Sequence, residues 1–334
     1  MTSALAELAR YAGVEVPGRP ALVTWVEPVN LGDGRVQLRS AECFYSLRHP
    51  LLAETFLSIH PLISGVYTVE EILDSAPCGV EPSTILFVLK ILSKLGVLLD
   101  VTAIAAQQSS TEPGRRQMFL RHFQDDPDAV LQRLAAANVL IVGSESLVCQ
   151  VYEAMRAAGC ESVSSLICHG VAEIERIRAK VTADPPDLMV ACADAPMRAM
   201  MCALNELALE VGLTWMHTTV LGRTALLGPI VIPTQTACYA CLESRLQANL
   251  SVPARHAVPS HKAGSSGEFY PWSMGVSAQI ALEATRFLGK HAPPATVGAC
   301  FELSTSTPAI RRHVVLRVPS CQQCESRTYA TDGW

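Results

Sequence analysis

Four cysteines fall in two C-x-x-C pairs: Cys238 and Cys241 in "ACYACLESRL", and Cys321 and Cys324 in "PSCQQC". A two-residue gap lets both sulfurs of a pair face one ion. Two such pairs supply the four thiolates that a tetrahedral structural zinc takes. A four-cysteine site is coordinatively closed, so its zinc would be structural and not catalytic. Residues 242–320 separate the pairs, so the fold must bring "PSCQQC" back to the first knuckle. The metal would then staple that segment to the body. Two rival readings stay open, a redox pair and unrelated buried thiols. The redox reading is the weaker, because neither pair follows a thioredoxin-like strand and helix. The other eight cysteines (43, 78, 149, 160, 168, 192, 202 and 300) lie mostly in apolar segments and read as buried, inert thiols.

The elements that must position these thiols belong to a globular chain. Of its 334 residues, 49% are hydrophobic and 17% charged, which excludes a disordered segment. Net charge is −5, from 26 basic and 31 acidic residues, with no basic stripe of the kind a nucleic-acid binder carries. The longest apolar stretch, "ILFVLKILSKLGVLL", is too short for a bilayer and is broken by Lys90 and Lys94, so no membrane partner is expected. "MTSALAELARYAGVEV" lacks a cationic region followed by an apolar core. Together with twelve cysteines, that points to metal ligands and buried thiols in a reducing cytoplasm.

Residues 21–100 read as a small unit. "ALVTWVEP" suggests a strand, and "RVQLRSAECFYSLRH" a hairpin around Ser40–Ala41. Three helical segments follow: "LLAETFLSIHPLI", "TVEEILDSA" and "EPSTILFVLKILSKLG". Pro82 suits a first helical turn and Gly96 a helix stop. Three strands and three helices in that order make a winged-helix-like domain. The polar stretch "TAIAAQQSSTEPGRRQ" reads as a linker. The expected organisation is therefore a first domain over 1–105, a linker over 106–128 and a second domain over 129–334.

The second domain reads as α/β. "NVLIVG" is a buried strand ending in glycine, "LVCQVYEAMRAAG" a helix, "VSSLIC" and "DLMVACAD" further strands, and "PMRAMMCALNELALEVG" another helix. That alternation implies a parallel, Rossmann-like sheet. "LTWMHTTVLGRTALLGPIVIP" looks like paired strands, "SMGVSAQIALEATRFLG" a long helix, and two more strands precede "PSCQQC". Residues 251–271 read as a long loop inside this domain.

A Rossmann-like half, a C-x-x-C, an interrupting loop, a helix and a last C-x-x-C together resemble the ThiF-like adenylating superfamily. "NVLIVG", "ACADAPMRAMMCALNELALEVGLTW" and "GPIVIPTQTACYACLESRL" carry the likeness, which covers about 200 residues by motif order. The first domain resembles a PqqD-like domain, the RiPP recognition element, which binds leader peptides of ribosomally made, modified peptides. The combination resembles the leader-binding, ThiF-like partner of YcaO cyclodehydratases, which help make thiazoles and oxazolines in azole-containing peptides and thiopeptides. In that family the YcaO protein carries the ATP and the chemistry. The resemblance thus implies a precursor leader and a YcaO enzyme as partners, and leaves room for a homodimer.

The chain departs from an active adenylating enzyme at the nucleotide fingerprint. G-x-G-x-x-G should follow the first strand, but the chain has "GSESLV". Gly143 remains. Glu145 stands where bare backbone must approach phosphate, and Val148 where glycine permits close packing. Cys168 and His169 occupy the end of the second strand, where an acid should grip the ribose. Asp194 ends the third strand and matches the Mg-ATP aspartate of active relatives, and Asn205 also matches. An Asp capping the next helix would give the same residue. No ATP is therefore expected on this chain. The rival function is an adenylating enzyme acting on a peptide or carrier C-terminus; a plain zinc-stabilised scaffold is a third.

The expected peptide site follows from the helix "EPSTILFVLKILSKLG". Ile85, Val88, Leu89, Leu92 and Leu95 make one apolar face at about 100° per residue, while Phe87 and Ile91 lie on the other side beside Lys90 and Lys94. A helix apolar on two sides is usually buried on two sides. Contact with the larger domain would explain it, and so would a peptide groove. In the second case a leader adds a strand to the edge formed by Cys43, Phe44, Tyr45, Ser46, Leu47 and Arg48. His256 and His261, near Lys262, read as solvated loop histidines, Ser146 lacks a hydrolase elbow, and Tyr270 and Trp272 read as loop anchors.

Overall fold

The computed structural model describes residues 13–23, 25–40, 44–75, 80–100, 112–120, 126–249, 267, 269–319 and 321–324. The chain divides into two compact units, Met1–Asp125 and Asp126–Trp334.

In the first unit, strands β2 (Glu27–Asn30), β3 (Val36–Arg39) and β4 (Phe44–Leu47) form an antiparallel sheet in that order. The expected hairpin is β3–β4, with Leu38 opposite Tyr45. "ALVTWVEP" is not one strand. It begins in β1 (Pro20–Leu22) and resumes in β2, with the Val26 N–H donating to the Val23 carbonyl at 3.3 Å across the break. That turn sends β1 to a different partner, β5 (Leu98–Asp100).

Helices α1 (Pro50–Ile59), α2 (Val69–Asp74) and α3 (Pro82–Lys94) follow. Pro61 turns the end of α1 into a single 3-10 turn, His60–Leu62. At α2, Thr68 and Glu71 form a reciprocal capping box. Pro82 opens α3 and Gly96, at φ +69°, follows its end. Ile85, Val88, Leu89 and Leu92 are fully buried and pack with Phe56, Ile72 and Leu38 in one core. Within the segment expected as linker, Glu112–Leu120 is helical (α4).

The second unit is built on a seven-stranded sheet, ordered β12-β11-β10-β9-β8-β6-β7. Its strands are β6 (Asn138–Gly143), β7 (Ser162–Ile167), β8 (Leu188–Ala193), β9 (Trp215–Leu221), β10 (Thr224–Val231), β11 (Ala299–Ser304) and β12 (Thr307–Val314). The β7-β6-β8-β9 half is parallel, and the rest is antiparallel. Its helices are α5 (Pro127–Ala136), α6 (Glu145–Ala158), α7 (Ile174–Ala183), α8 (Arg198–Val211), α9 (Tyr239–Ala248) and α10 (Tyr270–Gly289). Every residue of β8 is buried, and Val139–Val142 of β6 are at most 1% exposed, as expected for strands covered on both faces. Helix α10 starts earlier than the sequence suggests: Pro271 is tolerated in its first turn, so Tyr270 and Trp272 are helical and not loop residues.

Candidate functional site

The fold brings the two C-x-x-C pairs together. Cys238 caps the start of α9, and Cys241 lies in its first turn, its N–H donating to the Cys238 carbonyl at 3.1 Å. Cys324 donates in the same way to Cys321, at 3.2 Å. The sulfurs of Cys238 and Cys241 are 3.9 Å apart, those of Cys238 and Cys321 3.8 Å, and those of Cys241 and Cys324 3.7 Å. All four lie within 4.8 Å of one another, and all four residues are buried. Four sulfurs at about 2.3 Å from a tetrahedral ion would stand about 3.8 Å apart. The donor set and its spacing therefore fit a four-thiolate metal ion.

The electrostatics fit as well. The hydrogen bond from Cys238, aided by the Val318 N–H at 3.4 Å, holds the Cys241 thiol well below its usual range. The same contact with Cys241, together with burial, pushes Cys238 up. One thiolate is favoured, and further deprotonation in this buried cluster needs a cation.

Two arginines tie the knuckles' flanks together. Arg245 of α9 donates to the carbonyls of Leu316 and Arg317, at 2.9 and 3.2 Å. Arg317 returns the contact, donating to the carbonyls of Thr234 and Thr236 at 2.9 and 3.4 Å.

The second candidate site is the crevice at the carboxyl ends of β6 and β8. The chain leaves β6 for β7 on one side and then returns to β8 on the other, so this is the sheet's switch point, where open α/β sheets bind ligands. Gly143 ends β6 and Glu145 opens α6 here, and Asp194 follows β8. The Ser144 N–H donates to the Cys192 carbonyl at 2.9 Å, and the Asp194 N–H donates to Ser144 Oγ at 3.1 Å. Glu145 is exposed in the first turn of α6, and Val148 is buried beneath it. Asp194 lines a cavity of only about 10 Å³ together with Ser146, Leu147, Phe269 and Trp272. Among the described residues that is room for about one water. Cys168 closes the far side, its N–H donating to the Gly143 carbonyl at 2.8 Å.

Burial pushes Cys192 up to about 12 and both Cys160 and Cys300 up to about 11, so these thiols are inert, as expected. Cys149 departs from that expectation. It is exposed, and lines an open groove of about 710 Å³ between α6 and α10.

In the first unit, β4 is an edge strand, with Phe44 70% exposed and Leu47 buried. Phe87, Lys90 and Ile91 are half-buried on α3, and Lys94 is exposed. Helix α1 contacts both β4 and α3. Cys43, Cys78, His256, His261 and Lys262 lie outside the described residues.

Residues 169–325 match the model of the ThiF family. The second unit is ThiF-like. The matched span contains Asp194, Asn205 and all four clustered cysteines, and starts after the turn at Gly143 and Glu145. No curated protein sequence matches this chain. Among solved structures, the heterocyclase TruD aligns with 92% of the chain at 22% identity and a TM-score of 0.65, and a heterocyclase in complex with substrate and cofactor aligns with 92% at 22% and 0.64. The chain spans 43% and 39% of their lengths. E. coli MccB, solved with AMPCPP and MccA, aligns with 91% of this chain and 99% of its own, at 14% identity and a TM-score of 0.66. At these identities the likeness is one of fold. Sequence reasoning missed the partners of Asn205, which belong to the knuckles and not to the crevice: its side chain accepts from the Tyr239 N–H and donates to Gln323. No local pattern marks them.

Proposed function

We propose that this protein is a non-catalytic, leader-peptide-binding partner in the biosynthesis of azoline- and azole-containing peptides, thiopeptides among them. The carrying observation is the crevice, where the chain retains Asp194 but has Glu145 in the turn after β6, and where the cavity beside Asp194 measures about 10 Å³ among the described residues. A carboxylate at the first turn of α6 adds charge repulsion against phosphate. With Glu145 and Val148 in place of two fingerprint glycines, the chain's equipment is read as serving binding and presentation. The first unit, read as a winged-helix RiPP recognition element, takes the leader at β4 and α3 by strand addition. The core peptide then passes to a YcaO cyclodehydratase, which supplies the ATP-dependent step. Zinc in the four-cysteine cluster is structural. The likeness to TruD and to MccB supports a place in peptide modification.

A second reading has one observation in its favour. Asp194 keeps its place at the switch point, where an adenylating enzyme would hold Mg-ATP. Calorimetry with Mg-ATP separates the two. No binding is expected, whereas pyrophosphate exchange that disappears in Asp194→Asn would establish the adenylating enzyme.

A further inference from the structure

We infer that Asn205 is a positioning residue for the metal centre, setting both cysteine knuckles from a single point on α8; this rests on the reading that the four cysteines hold a metal. Asn205 is 0% exposed. A carboxamide at that depth needs partners at both ends. Its Oδ1 accepts from the backbone N–H of Tyr239, the residue after Cys238, at 2.9 Å. Its Nδ2 donates to Gln323 Oε1, between Cys321 and Cys324. Gln323 Nε2 in turn donates to Glu206 Oε1 at 2.8 Å. One helix thus grips the first knuckle once and the second knuckle twice.

The chemistry fixes the direction of this chain. Glu206, as a carboxylate, only accepts, so Gln323 must present its NH2 to it and its oxygen to Asn205. Asn205 must then present its NH2 to Gln323 and its oxygen to Tyr239. An aspartate at 205 would set a carboxylate oxygen against Gln323 Oε1, so the position calls for the amide.

The first arm also meets a specific need. Cys238 is the N-cap of α9 and makes no side-chain cap, since its sulfur faces the cluster. The Tyr239 N–H would be an orphan donor at the buried end of α9, and Asn205 supplies the missing acceptor from another helix. Each C-x-x-C turn can rotate about its flanks. Tethering both to one rigid residue keeps the sulfurs near tetrahedral spacing before the ion arrives.

The test compares zinc-loaded wild type with Asn205→Leu, Asn205→Asp and Gln323→Ala, with Met155→Ala in α6 as a core control. The readouts are zinc transfer to a chromogenic chelator, the thiolate-to-metal charge-transfer band after cobalt substitution, and thermal unfolding. Asn205→Leu should lose zinc roughly 10–100-fold faster, the range typical for lost outer-shell contacts, with an altered cobalt band. Asn205→Asp, which keeps the Tyr239 arm, and Gln323→Ala should fall between it and wild type. Met155→Ala should unfold earlier yet release zinc at the wild-type rate. A folded Asn205→Leu with wild-type release and an unchanged band overturns the inference. If that variant does not fold, wild-type release from Gln323→Ala overturns it. Wild type that takes up no metal removes the metal reading and the inference together.

Discussion

Gly143 lies so close to the Cys192 carbonyl that a Cβ built on it would stand 1.8 Å from that oxygen. The surviving glycine of the nucleotide fingerprint is therefore required by the sheet itself. It sits at φ +135°, where β6 turns into α6 against β8. Its presence says nothing about phosphate. Gly143→Ala should cost about 3–5 kcal/mol of stability, because both the backbone conformation and the strand contact are lost. Urea unfolding of the purified variant checks this, and a loss under about 1 kcal/mol would contradict the packing argument.

The metal cluster should hold about one zinc per chain in reduced, metal-replete protein. Cys321→Ser removes one ligand of a closed set and should lower both the metal content and the unfolding temperature. The stability lost should be several kcal/mol, since a metal bound by the folded chain adds its binding free energy to stability. Elemental analysis of wild type and variant is the check, and metal-free wild type would refute the assignment.

Leader binding should depend on the outer side of α3. Phe87→Ala is expected to cost about 2–4 kcal/mol of affinity for a labelled leader, as a central aromatic anchor would. Lys90→Ala should cost less, and its effect should fade at high salt. Fluorescence polarisation reads both. Unchanged affinity in folded Phe87→Ala would place the leader elsewhere.

His217 should make the protein acid-sensitive. Its Nδ1 donates to the Gly228 carbonyl at 2.9 Å, and in the neutral ring its Nε2 accepts from the Thr219 hydroxyl at 2.8 Å, so a second proton would go to Nε2 in a buried setting that disfavours the charge. Full burial holds its folded pKa down at about 4, from 6.5. Between those values the unfolded chain binds a proton that the folded chain does not. Stability is then fully present above about pH 6.5 and falls as the pH drops towards 4, by about 1.4 kcal/mol per unit at most. Denaturant unfolding at stepped pH should show a shallower decline in His217→Gln than in wild type. Parallel declines would mean that other groups govern the acid limb.

Local pattern carried much of this protein. The apolar run "NVLIVG", the 3.6-residue period of α3 and the two C-x-x-C pairs are each written in contiguous residues. Each follows from forces acting over a few bonds: pleat alternation, helical periodicity and the reach of two thiols to one ion. The tertiary structure decided the rest. Nothing in "ALVTWVEP" tells that its two halves pair with different strands, because each partner lies elsewhere in the chain. "GSESLV" shows a missing fingerprint, but only the packed sheet shows that Gly143 is held by Cys192 and that Phe269 and Trp272 line one small cavity with Asp194. Asn205 matched a nucleotide-site residue by its sequence context, and its side chain serves the knuckles instead. A hydrogen bond between residues 118 positions apart, as from Asn205 to Gln323, is set by how the closed chain stacks its layers, and no short-range preference encodes it.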